Sequence, residues 1–443
     1  MEKKLFGTDG IRKKVGESPL TEHDMFILGK SISQWAYEKH GRIVEILVAH
    51  DTRESSYALK SAIKKGLTIH AMAVFDLGVL PTPAVVSVMK LQKFNCSVII
   101  TASHNPYHDN GIKIIDLYDG KLDEKTEEKI ASIFHHNRTF NDEAEPHTER
   151  DEDYEELAQV YVETIQDSFK EKFLEGVTIV LDCANGASYE IAPELFAQFG
   201  AHVITISDTP DGKNINKNCG STHPKELQKS VLKHNADIGF AFDGDGDRLI
   251  AVNKQGKLKD GDDILCILSQ NPDYADQTHI VGTVFTNYGL EAYLQSKGKK
   301  LIRTKVGDKF VAKKLKDEGL FLGGEHSGHI ITRNHIESSD GIFTALKLIE
   351  TIQLTNNWEL ETFKRFPQVM KNIPVTTKKN LELQPFASII AEHQAKIPHG
   401  TVVVRYSGTE NLLRIMVQEK NARTANDICL NLSEKLKFEL DRN

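Results

Sequence analysis

The run Asp243-Gly244-Asp245-Gly246-Asp247-Arg248 sets three carboxylates two residues apart, with glycines between them. Like charges that close repel unless something neutralises them. Three oxygen donors able to curl round one point suit a hard divalent cation. A calcium-binding EF-hand loop starts in a similar way but needs Gly at its sixth position and Glu at its twelfth. Here those positions hold Arg248 and Lys254. The loop points to Mg²⁺, with Asp243, Asp245 and Asp247 as ligands and a phosphate oxygen completing the shell.

Four other stretches carry reactive or anion-binding groups. Ser103-His104-Asn105-Pro106 follows the apolar run Val98-Ile99-Ile100 and precedes Asp109-Asn110-Gly111 and Lys113. It reads either as a hydroxyl lifted from a strand end, where open α/β sheets place ligands, or as a Ser/Asn turn with a solvated lysine. Asp109-Asn110-Gly111 reads as a second tight turn, with Lys113 on a returning strand. Between two apolar runs, Gly323–His329 carries Glu325, His326, Ser327 and His329 on a glycine-rich loop. These are donors and acceptors suited to sugar hydroxyls. A catalytic Ser-His pair lacks the GxSxG spacing, and a zinc site lacks a third ligand. In Arg405-Tyr406-Ser407-Gly408-Thr409-Glu410, with Arg414 beyond it, two arginines flank a Ser-Gly-Thr turn. That set holds a phosphate dianion, or is a hairpin turn with surface arginines. Phe6–Arg12, with two glycines, either brings backbone N–H groups to an anion under Arg12 or makes a plain hairpin turn.

The elements that must position these loops alternate between β and α. Apolar residues at helical spacing predict a helix over 21–40, then a strand over 43–49. A helix over 55–69, a strand over 72–77, a helix after Pro81 and the strand into Ser103 complete the first unit. Such alternation argues for a mostly parallel sheet covered on both faces. Nine acidic residues between Asp142 and Glu156 mark a linker and the acidic start of a helix. A βαβ unit follows (177–182, a helix to Phe199, 202–206), without the GxGxxG of a dinucleotide site, and then a strand over 238–242. Helices over 262–269, 289–297 and 342–351 and strands over 279–283 and 301–304 make a third unit. A smaller last unit has strands over 372–376, 401–405 and 412–418 and a helix over 383–395.

With 443 residues the chain exceeds one hydrophobic core, and two to four domains are expected. Its 55 Lys+Arg against 63 Asp+Glu give a net charge of −8, which argues against a general nucleic-acid or anionic-membrane binder. Five scattered cysteines without a CxxC pair read as reduced thiols. With no apolar leader and no membrane-length apolar run, a cytoplasmic protein is expected.

Taken together and in order, Phe6–Arg12, Thr101–Lys113, Asp243–Arg248, Gly324–His329 and Arg405–Val417 resemble the α-D-phosphohexomutase superfamily over essentially the whole chain. Phe6–Arg12, Thr101–Lys113 and Arg405–Val417 look most like the branch acting on glucosamine phosphates, with the mannose and glucose phosphate branch nearest after it. The resemblance implies three successive α/β domains with mixed, largely parallel sheets and a smaller C-terminal α+β domain around a central cleft. The segments are 1–150 (phosphoserine), 151–255 (metal), 256–367 (sugar) and 368–443 (phosphate).

It also implies roles for the residues. Ser103 would be the phosphoserine, with His104 beside it. Asp243, Asp245 and Asp247 would hold one Mg²⁺ per subunit against the Ser103 phosphate, with Arg248 adjacent. Glu325, Ser327 and His329 would meet the sugar. Arg405, Ser407, Gly408, Thr409 and Arg414 would grip the phosphate not being transferred, and Arg12 and Lys113 would lie near the acceptor hydroxyl. The implied activity is an isomerase interconverting glucosamine 6-phosphate and 1-phosphate through a bound 1,6-bisphosphate, for cell-wall precursors, the alternative being mannose or glucose phosphates. The expected partner is a phosphosugar, with no nucleic acid and no membrane, in a monomer or homodimer. Lys13, Lys309, His326 and Asn411 depart from the usual superfamily pattern.

Overall fold

The computed structural model describes residues 5–7, 9–41, 44–71, 73–139, 155–407 and 411–442. The acidic stretch expected as a linker falls almost entirely outside them. The chain forms two compact units, one of Met1–Tyr274 and Gly307–Glu361, the other of Ala275–Val306 and Thr362–Asn443.

In the first unit the β-α alternation folds as its periodicity predicts. Strands Glu45–His50, Ala73–Val79 and Cys96–Ile100 run parallel, with Glu45–His50 in the middle. Helices Ser56–Leu67 and Thr82–Gln92 make the crossovers. Every residue of Cys96–Ile100 is buried, as a strand covered on both faces requires. Beyond it the sheet turns antiparallel: Asp109–Asp116 pairs with Cys96–Ile100, and Ile11–Lys14 pairs with Asp109–Asp116. The segment expected as a turn, Asp109-Asn110-Gly111, is therefore already strand. The chain reverses earlier, where Asp109 N–H reaches the Pro106 carbonyl at 3.1 Å. Gly111 serves close approach instead: a Cβ there would lie 2.3 Å from the Ile11 carbonyl oxygen and 2.6 Å from that of Thr101. Asn110 is buried and donates to Ser55 and Ser56 at 2.9 and 3.1 Å.

A second sheet of this unit has the order Leu258–Lys259, Ile250–Asn253, Ile238–Ala241, Thr178–Asp182, His202–Ile206. Its last three strands are parallel and its first three antiparallel. Leu322–Gly324 and Ile330–Thr332 form an antiparallel hairpin carrying the glycine-rich loop. Helix Asp308–Glu318 starts within the cationic turn and was not foreseen by the periodicity.

The second unit contains the parallel pair His279–Thr283 and Lys300–Thr304 and a three-stranded antiparallel sheet ordered Gln368–Pro374, Leu412–Gln418, Thr401–Tyr406. Leu413, Ile415 and Val417, alternate residues of its middle strand, pack on Phe386 and on Leu432 and Leu436 of the terminal helix Ala422–Asp441. Residues 256–367 thus contribute to both units. No helix among the described residues is long and apolar enough to cross a membrane.

Candidate active site

The aspartate loop owes its shape to its two glycines. After strand Ile238–Ala241 the chain tightens so that Gly246 N–H donates to the Asp243 carbonyl at 3.1 Å, and Gly246 takes φ +72°. A Cβ on Gly244 would meet the Ser103 carbonyl at 2.6 Å and Asn216 Nδ2 at 2.8 Å. The resulting turn brings one carboxylate oxygen from each of Asp243, Asp245 and Asp247 within 4.8 Å of the others, all buried.

Ser103 sits against this loop. Its Oγ donates to Asp243 Oδ2 at 2.6 Å and lies 3.4 Å from His104 Nδ1. Its backbone holds φ +51°, a conformation that costs free energy for a side-chain residue and persists only where surroundings over-determine it. The surroundings do so. Ser103 N–H donates to Thr101 Oγ1, and its carbonyl accepts from Arg53 at 2.9 Å and Asn216 at 2.8 Å. Arg53, fully buried, also donates to the carbonyls of Asn105, Pro106 and Asp109 and to the Asp51 carboxylate at 2.8 Å. Arg53→Met should therefore destabilise the protein by about 3 to 5 kcal/mol, since it strands a buried carboxylate. Urea unfolding of the two proteins measures this.

Arg53, Asn216, Thr82 and Asp9 were not singled out from the sequence. Thr82 donates from Oγ1 to Asp245 Oδ2 at 2.6 Å and from its backbone to the Asp245 carbonyl at 2.9 Å. No local pattern marks contacts spanning 50 to 160 residues. Only Asp9 lay inside a stretch already of interest.

Lys113 and Arg12 come from the antiparallel edge of the first sheet. Lys113 is buried, not solvated. Its Nζ bonds Asp245 Oδ2 at 2.6 Å and Asp247 Oδ2 at 2.7 Å, and lies 3.6 Å from Asp9. Arg12 pairs with Asp9 at 2.5 Å, and Lys121 bridges Asp9 and Asp308. The sugar-type loop joins through the Arg248–His329 bridge and through Gly261 N–H, which donates to the His326 carbonyl at 3.2 Å. His329 spans Glu325 at 3.0 Å and Asp247 at 3.1 Å. Glu325 in turn accepts from Gly307 N–H at 2.8 Å. Ser327 is half-buried and His326 exposed on the same hairpin.

The electrostatics follow from burial and these pairs. Burial, then repulsion from Asp247 and Asp245, pushes Asp243 up to about 7. Burial would also raise Asp247, but Lys113 and His329 outweigh it and hold that carboxyl well below the usual range. Burial opposes charge on His329, yet Asp247 and Glu325 raise it to about 10. An imidazolium has no lone pair for Arg248, so the 3.2 Å approach of Arg248 Nε to His329 Nε2 is a contact between two cations rather than a hydrogen bond. His104, through burial and then Arg248 and Arg12, falls to about 3 and is neutral.

The triad fits a divalent ion on two counts. Asp245 Oδ1 is buried without a hydrogen-bond partner, and Asp243, raised by burial and by its two carboxylate neighbours, would be relieved by a cation sharing their charge. A small, hard cation with oxygen ligands matches this donor set.

In the second unit, Arg405 and Arg414 stand directly opposite in the antiparallel pair. Like charges in that relation destabilise a sheet. Burial, then Arg414, lowers the proton affinity of Arg405, whose guanidinium lies 5.2 Å from the Phe285 ring. Ser407 is buried at the strand end. Gly408 and Thr409 lie outside the described residues.

Comparison with known proteins identifies the family. The α/β/α domains I, II and III of phosphoglucomutase/phosphomannomutase match residues 3–140, 159–256 and 260–370, and the C-terminal domain matches 370–435. The chain belongs to the phosphoglucomutase/phosphomannomutase family. A phosphoglucosamine mutase of Nautilia profundicola is 39% identical over 99% of this chain and all of its own length. That of Maricaulis maris is 38% identical over 94% of this chain and 95% of its own. The crystal structure of a phosphoglucomutase/phosphomannomutase family protein from Burkholderia thailandensis shares the fold, with a TM-score of 0.83 at 23% identity, covering 99% of this chain and 98% of that one. Members of the family are isomerases, and the mixed α/β sheets described above are the family's architecture.

Proposed function

We propose that the protein is a phosphoglucosamine mutase, interconverting glucosamine 6-phosphate and glucosamine 1-phosphate. The observation that carries this is the buried Ser103 hydroxyl held 2.6 Å from a three-aspartate cluster, in a chain 36 to 39% identical to curated relatives of that name.

On this reading Ser103 carries a phosphoryl group. The Oγ–P bond breaks as a bond forms from phosphorus to the sugar O1, whose proton passes to a nearby base, and a 1,6-bisphosphate results. After the sugar turns over, the O6–P bond breaks as Oγ–P re-forms, and O6 takes the proton back from the base, leaving the 1-phosphate. Asp243, Asp245 and Asp247 would hold Mg²⁺, which when bound disperses the charge building on the transferred group. Arg12, Arg248 and the protonated His329 neutralise the rest. Neutral His104, beside Oγ, and Lys113 are the candidates for moving the proton. Glu325 and Ser327 would take sugar hydroxyls. Arg405, Ser407, Gly408, Thr409 and Arg414 would clamp the spectator phosphate with forked, directional donors.

The segments 1–150, 151–255, 256–367 and 368–443 would then serve phosphoserine, metal, sugar and phosphate in turn. Five buried cysteines outside any disulfide agree with a reducing, cytoplasmic setting.

The deciding experiment measures 1-phosphate formation from glucosamine, glucose and mannose 6-phosphates, with and without Mg²⁺. Preference for the glucosamine substrate supports the proposal. Preference for mannose or glucose phosphate moves it to the sister activity. Free phosphate as main product would sink the mutase reading altogether. A further expected outcome concerns Gly244→Ala: the added Cβ forces the Ser103 carbonyl aside, so kcat should fall tenfold or more while stability drops by only about 1 to 3 kcal/mol. Parallel turnover and thermal-unfolding measurements check it.

A further inference from the structure

The three aspartates have a counter-charge within the chain itself. Lys113 Nζ stands between two of them, 2.6 Å from Asp245 Oδ2 and 2.7 Å from Asp247 Oδ2. Both residues belong to the trio that brings one carboxylate oxygen each within 4.8 Å of the others. An ammonium so placed does electrostatically what a divalent ion would do, with one charge rather than two. Yet the compensation is incomplete, since Asp245 Oδ1 stays buried without a partner.

Two observations show that Lys113 has somewhere else to go. Asp9 Oδ2 lies 3.6 Å from Nζ, just beyond hydrogen-bond distance. A small cavity of about 20 Å³ is lined in part by Asp9, Lys113 and Lys121. That is room for a head group to shift, and a carboxylate to receive it. Asp9 already carries Arg12 and Lys121, so it is an ordered acceptor.

We propose that Lys113 is a built-in placeholder for the metal, and that a divalent ion entering the triad displaces it from Asp245 and Asp247 toward Asp9. This rests on the triad being the metal site. Lysine and ion compete for the same carboxylates, so the ammonium sets how tightly the ion binds. Its departure hands Lys113 from the aspartate loop to Asp9, the carboxylate that also holds Arg12. The loaded and metal-free proteins would then differ in where one lysine points, with the loop backbone unchanged. A buried ammonium removed without a substitute leaves two carboxylates facing each other, so the placeholder also keeps the metal-free protein folded.

The test uses Mn²⁺ as probe, with binding followed by electron paramagnetic resonance of the free ion. Wild-type protein is compared with Lys113→Met and Lys113→Arg, and thermal unfolding is recorded in EDTA. Lys113→Met should bind Mn²⁺ at least tenfold more tightly than wild type and unfold at a lower temperature in EDTA, with Mn²⁺ restoring the difference. Lys113→Arg, which keeps the charge, should bind no more tightly than wild type. Unchanged or weaker binding by Lys113→Met overturns the placeholder. Failure of wild type to bind Mn²⁺ at all overturns the metal site itself, a distinguishable result.

If Lys113→Met does not fold, a crystal structure of wild type with Mn²⁺ decides. Lys113 Nζ beyond hydrogen-bond distance of Asp245 and Asp247 supports displacement. Nζ still on both carboxylates beside a bound ion refutes it.

Discussion

Ser103→Ala should lower turnover by about 10⁴-fold or more, the scale of losing a nucleophile that no neighbour can replace, while leaving the fold intact. The structural loss is small. One hydroxyl hydrogen bond to Asp243 disappears, a change of about 1 kcal/mol, and the Arg53 and Asn216 bonds to the Ser103 carbonyl do not involve the side chain. The backbone at φ +51° offers a companion test. Glycine relaxes that conformation and alanine does not. Ser103→Gly should therefore be as inactive as Ser103→Ala but no less stable. Mass spectrometry of proteolytic peptides should find the wild-type phosphoryl group on the peptide containing Ser103 and on neither variant. Near-normal turnover in either variant would refute the phosphoserine assignment.

Asp243→Asn is expected to separate stability from activity. The asparagine keeps the shape: its oxygen accepts from Arg248 N–H, 3.2 Å from Asp243 Oδ1, and its amide donates to Ser103 Oγ in place of the reverse bond. It also removes one of three mutually repelling buried charges, the repulsion that joins burial in lifting Asp243. The metal-free variant should unfold at or above the wild-type temperature. Its rate should nevertheless fall on the order of 10² to 10³-fold, the scale of removing one preorganised electrostatic group, and Mg²⁺ should raise the unfolding temperature of wild type but not of the variant. Loss of stability without loss of Mg²⁺ response would mean that the carboxylate serves the fold, not the ion.

Much of this site could be read from residue order. The aspartate triad was legible because three charges at two-residue spacing have no cheap structural role. The β-α alternation was legible because helical and strand periods differ. What escaped depends on long-range packing. Asp109-Asn110-Gly111 has turn composition, yet its glycine answers to the Ile11 and Thr101 carbonyls and its asparagine to Ser55 and Ser56. Arg53 is one arginine after a strand, with nothing nearby to show that it holds the Ser103–Asp109 loop. Lys113 seemed solvated because its carboxylate partners lie more than 130 residues away. Where a loop's shape is set by groups distant in the chain, composition names the chemistry and leaves the geometry open.

The chain leaves its first unit after Tyr274, returns at Gly307 and leaves again after Glu361. The second unit is therefore sewn from two lengths of chain. Asn287 Nδ2 donates to the Phe366 carbonyl at 3.1 Å, and Gln418 holds Phe285 and Tyr288 through their main-chain groups. During synthesis the earlier length must wait for residues that emerge much later. A C-terminal piece expressed alone from residue 368 would lack those partners, and a chain stopped at 361 would leave them bare. Arg405 and Arg414, the proposed phosphate clamp, sit in the unit that both lengths of chain must complete.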